Sequence, residues 1–70
     1  MFFTVIEIQD TGSAKACLPT IFVSFDEAKS GFFSICHSAS QSGIPYHAVF
    51  ILSDEGQIVK GEIFDRRSKG

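Results

Sequence analysis

Hydrophobic and polar residues change their period twice along this chain. Residues 2–9 are β-branched and aromatic and run into Asp10-Thr11-Gly12-Ser13, a turn composition, so they predict a first strand. Alternation puts Thr4, Ile6 and Ile8 on one face and Phe3, Val5 and Glu7 on the other. Both faces carry apolar groups, which suits an inner strand. Residues 15–23 predict a second strand returning from the turn. Pro19 cannot donate to a ladder, so this strand belongs at an edge or a bulge.

The period then lengthens. Phe25, Ala28, Phe32, Ile35 and Ala39 follow steps of three and four, one face of an α-helix, with Cys36 beside the stripe. Ser24 and Glu27 have the spacing of a capping box, and Asp26 and Glu27 lie near the positive end of the helix dipole. Gly31 costs about 1 kcal/mol relative to Ala in mid-helix, and it permits close approach to a sheet. Around Gln41-Ser42-Gly43 the helix is expected to stop, with Gly43 as a left-handed cap and Pro45 beyond it. Residues 46–52 are nearly all apolar and predict a central strand. Ser53-Asp54-Glu55-Gly56 reads as a hairpin turn with positive φ at Gly56, residues 57–64 as a fourth strand, and residues 65–70 as a polar tail.

The order ββαββ predicts one α+β domain over residues 1–70: a four-stranded, mainly antiparallel sheet with one helix packed on one face. The opposite face then has no cover within the chain. Composition sharpens this point. A 70-residue chain buries only about 60% of its unfolded surface and needs some supplement to its core. Two cysteines, Cys17 and Cys36, sit in apolar sequence and read as buried thiols. The N-terminus lacks the basic region of an export signal, so a reducing compartment is expected. No metal-ligand spacing joins Cys36, His37 and His47, and no cofactor is expected. Eight phenylalanines are too many to hide in one small core, so self-association as a homodimer or higher oligomer is expected. Net charge −2 makes nucleic acid the less favoured partner, and no stretch has the length of a membrane span.

Candidate chemistry is sparse. The chain has no nucleophile elbow, phosphate loop or paired-carboxylate motif, so no catalytic residue is assigned and a non-enzymatic binding protein is expected. Tyr46-His47 follows the Gly43–Pro45 break and opens a strand, offering a ring and a titratable donor. Arg66-Arg67, with Lys69, is the basic cluster, and arginine's fork suits phosphate. A hairpin places the start of the third strand beside the end of the fourth, so Tyr46, His47, Arg66 and Arg67 are the candidate ligand site. His37, among Ser34, Ser38 and Gln41 on the polar side of the helix, is a further candidate ligand contact.

The strings Thr4-Val5-Ile6-Glu7-Ile8-Gln9, Asp26-Glu27-Ala28 and Ile44-Pro45-Tyr46-His47-Ala48-Val49, with Asp54-Glu55-Gly56 and Lys60-Gly61-Glu62, together resemble a family of short phage and prophage proteins of gut Firmicutes. The resemblance spans nearly the whole chain, and its motifs are structural rather than chemical. Where family members carry an alanine-rich helix end, this chain has Cys36-His37-Ser38-Ala39-Ser40. The resemblance implies an accessory protein of the bacterial host cytoplasm that counters host defence. It would do so by binding an effector protein, as anti-CRISPR proteins do, or by sequestering a nucleotide immune signal. The alternative expectation is a nucleic-acid-associated phage protein using the basic tail and the sheet face.

Overall fold

The computed structural model of the protein describes residues 1–67. The elements are β1 (Phe3–Asp10), β2 (Lys15–Phe22), α1 (Phe25–Gln41), β3 (Tyr46–Ser53) and β4 (Ile58–Asp65). The strands form one antiparallel sheet in the order β2-β1-β3-β4, with α1 packed on one face, so the expected α+β ββαββ arrangement is the observed one. β1 and β3 are central, as their two-sided apolar sequences required, and the Pro19-bearing β2 is an edge. Each observed strand differs from its sequence-predicted range by one residue at one or both ends.

Strand register decides which side chains share the core. Val5 lies opposite Ile51 and Glu7 opposite Val49, so the odd-numbered residues of β1 and β3 face the helix together. Val5, Val49 and Ile51 are fully buried there with Ala28 and Phe32, and Phe3, Phe22, Phe25, Ile35, Cys36 and Phe64 pack around them. The helical stripe read from the sequence is therefore the buried stripe. Gly31 has a definite packing reason: a Cβ there would lie 2.7 Å from the Phe22 ring. Its absence lets the β2 end tuck under the helix.

The helix begins as its sequence indicates, with the Glu27 N–H donating to Ser24 Oγ at 3.1 Å. Its end differs from expectation. Positive φ is found at Gly12 and Gly56, not at Gly43. Ser42 closes the helix in extended conformation, its N–H donating to the Ala39 carbonyl, and its Oγ accepts from the Ile44 N–H at 3.0 Å. Those bonds, with one from Arg66 described below, supply what a left-handed cap would have supplied. The second hairpin follows expectation: Gly56 N–H donates to the Ser53 carbonyl, and the chain turns through Gly56 at φ 85°. A β-bulge at Ile51/Leu52 leaves Val59 as the extra residue of β4.

Cys17 does not behave as a buried thiol. It is exposed, because its position on β2 points to the sheet face the helix does not cover. Cys36 is half-buried beside the core, and burial, with the charge of Glu62, pushes its thiol pKa up, while Lys60 pulls it down.

Candidate functional site

The junction where β3 starts and β4 ends does bring the proposed ligand residues close together, since Tyr46 pairs with Asp65 and the Arg66 N–H donates to the Pro45 carbonyl at 2.7 Å. It also divides them between the two faces of the sheet, because adjacent strand residues point in opposite directions. His47 turns inward. It is 2% exposed, and its Nδ1 lies 2.9 Å from Glu7 Oε2, which also accepts from Gln9 Nε2 at 3.2 Å. Its Nε2 is buried without a hydrogen-bond partner among the described residues. Arg66 turns to the same side and reaches the helix end. It donates to the Ala39 carbonyl at 2.6 Å and to the Ile44 carbonyl at 3.3 Å.

Tyr46 and Arg67 form a separate pair. The Arg67 guanidinium carbon lies 4.3 Å from the Tyr46 ring centroid, a stacking distance. Arg67 also makes a two-pronged pair with Asp65, at 3.0 Å from Nε and 2.9 Å from Nη2, which raises the guanidinium pKa. His37 is exposed on the outer side of the helix, its carbonyl accepting from the Ser40 hydroxyl at 2.7 Å. Lys69 lies outside the described residues. The side chains chosen for ligand chemistry are thus engaged internally in four of five cases: His47 with Glu7, Arg66 with the Ala39 and Ile44 carbonyls, Arg67 with Asp65, and Tyr46 with the Arg67 guanidinium. Among the described residues no group of three His, Cys, Asp or Glu could hold a metal, and no helix is long and apolar enough to cross a membrane.

The sheet face opposite the helix has no cover among the described residues. Strand register arranges it in four rows running across β2, β1, β3 and β4. The first is Ile21, Thr4, Leu52, Ile58; the second Pro19, Ile6, Phe50, Gly61; the third Cys17, Ile8, Ala48, Ile63. Only the fourth row, Lys15, Asp10, Tyr46, Asp65, carries charge. Ile21 is 66% exposed, Ile58 65% and Ile63 55%. The Phe50 ring lies across Gly61, where a Cβ would meet it at 2.7 Å, so the middle of the face is flat and aromatic. A second feature is an open depression of about 510 Å³ at the β2 edge, bounded by Phe22, Val23, Glu27, Gly31 and Ser34.

Sequence reasoning inferred that this face lacks cover, but of its residues it named only Tyr46 as part of a site. The signal was present: Ile6, Ile8, Phe50, Leu52 and Ile63 are the apolar members of alternating strands on the side the helix stripe cannot reach. Comparison with protein families, curated proteins and solved structures finds no match to this chain.

Proposed function

We propose that this chain is a non-enzymatic binding protein whose working surface is the open sheet face. The carrying observation is the three apolar rows on that face, with Ile21, Ile58 and Ile63 each more than half exposed in the single chain. Contiguous apolar surface on this scale marks a protein-contact site. The engagement of His47, Arg66 and Arg67 with partners inside the chain supports contact through the sheet rather than a phosphate site at the β3–β4 junction. Lys15 and Arg67 on the face are balanced by Asp10 and Asp65, and that lack of positive charge disfavours a nucleic-acid backbone as its partner.

The resemblance to short phage proteins supports counter-defence as the setting. Expression of the chain in phage-restricting bacterial strains tests this reading. Plaque formation is expected to rise in at least one strain and to be lost with Ile21→Glu or Ile63→Glu, with the folded circular-dichroism spectrum retained. Plaque counts that no strain raises, or that both variants raise as well as the parent, contradict it.

A further inference from the structure

We propose that the open face closes on a second copy of this chain, about a two-fold axis parallel to the strands, giving a two-sheet sandwich with a helix on each outer side. This rests on the reading of that face as the working surface and names its occupant. Three observations on the face select both the occupant and the axis.

The first is size. Four strands spaced about 4.8 Å and eight residues long at about 3.4 Å each span roughly 500 Å² in projection. Side-chain relief brings the accessible area near the roughly 800 Å² per partner of a standard stable interface. The face alone is therefore large enough.

The second is the placement of charge. A two-fold axis parallel to the strands lays β2 over β4 and β1 over β3 of the second copy, with each row meeting its own image. Lys15, which pairs with Asp10 in its own chain at 3.8 Å, then faces Asp65 of the second copy, itself held by Arg67, and Asp10 faces Tyr46 with Arg67 stacked on its ring, so the alternating charges oppose their opposites. The charges of the fourth row are complementary to their own image. An in-plane axis perpendicular to the strands would instead lay Lys15 over Ile21 and Asp65 over Ile58, burying charge against apolar surface at high cost.

The third is shape. Under the favoured axis Pro19 meets Gly61, Ile6 meets Phe50, Cys17 meets Ile63 and Ile21 meets Ile58. The flat centre created by Phe50 over Gly61 receives the ring of Pro19. Aligned face-to-face packing of twisted sheets, about 30° apart and about 10 Å between layers, is the ordinary geometry for such faces. The competing contact, strand to strand along an edge, is hindered at both edges, by Pro19 in β2 and by the bulge in β4.

Sedimentation equilibrium of the full chain tests the proposal. The parent is expected to sediment as a dimer at about 100 µM. Ile21→Glu and Ile63→Glu, at positions exposed in the single chain, are expected to weaken the dimer at least 100-fold without altering the melt of the monomer. Val23→Glu, 78% exposed but outside the strands, is expected to leave it intact. Lys15→Glu is expected to weaken the dimer about tenfold, since it sets like charge against Asp65 of the second copy. A monomeric parent, or a dimer that survives Ile63→Glu, overturns the proposal. A monomeric parent whose plaque effect is still lost in Ile63→Glu separates the two ideas: the face still works, on a different partner.

Discussion

Arg66 compensates for a gap in the helix's own sequence. The last turn of α1 contains no basic residue, yet its carbonyls face the negative end of the dipole. Arg66 comes from the end of β4, 27 residues away from Ala39, and donates to that carbonyl. Its backbone also extends the β3–β4 ladder, so one residue ties helix, loop and sheet together. Charge-assisted hydrogen bonds contribute about 1.5–3 kcal/mol, so Arg66→Ala is expected to lower unfolding free energy in urea by that amount. Arg67→Ala is expected to change stability little, since its pair with Asp65 is exposed. Equal stability of both variants would show that the helix end does not depend on Arg66.

Glu7 and His47 make the second residue-scale case. Removing one partner strands the other in a low-dielectric site, whereas replacing both with apolar groups removes the polar burden. Glu7→Ala should therefore cost about 1–3 kcal/mol, while Glu7→Leu/His47→Leu should be near neutral or stabilising, since it also removes the unpartnered His47 Nε2. Additive losses in the double variant would contradict this account. At Cys36 the raised thiol pKa leaves less thiolate at pH 8. Alkylation there is expected to be slow at pH 8 and to accelerate toward pH 10; a flat rate across that range would show that burial, not ionisation, limits the reaction.

At the scale of elements, the helix depends on one aromatic. Phe32 is 1% exposed and sits between Val5, Val49 and Ile51, with Lys60 Nζ 5.8 Å from its ring. Phe32→Ala should cost about 3–5 kcal/mol, enough to leave so small a domain largely unfolded at 37 °C. A melting curve matching the parent would mean that the core does not centre on the helix. The elements themselves were legible because periods of two and of three-to-four are written directly in side-chain polarity. The helix stripe, the edge position of β2 and the turn at Gly56 all followed from residue chemistry. Parity along a strand was legible too, and it separates Tyr46 from His47 by face. The Arg66 bond was not legible, since its acceptor is a backbone carbonyl brought near only by tertiary folding. Gly43 misled for the same reason: a cap from outside the helix removed the need for a left-handed residue.

The whole molecule is a helix-on-sheet domain with half of its sheet surface left apolar. Seven buried apolar residues among the described ones are a thin core, and exposed Ile21, Ile58 and Ile63 are the opposite of what solvent favours. Closing two such faces together offsets both deficits at once, because the same side chains that are costly in water become a second core. It also accounts for the concentration of that face's charge in a single row at one end. The most direct measurement of that claim is the alkylation rate of Cys17, which lies within the face and is exposed in the single chain. With iodoacetamide and mass spectrometry across concentration, Cys17 is expected to become protected as the chain is concentrated, with Ile63→Glu staying reactive throughout. Cys17 reacting equally fast at every concentration in parent and variant would contradict it.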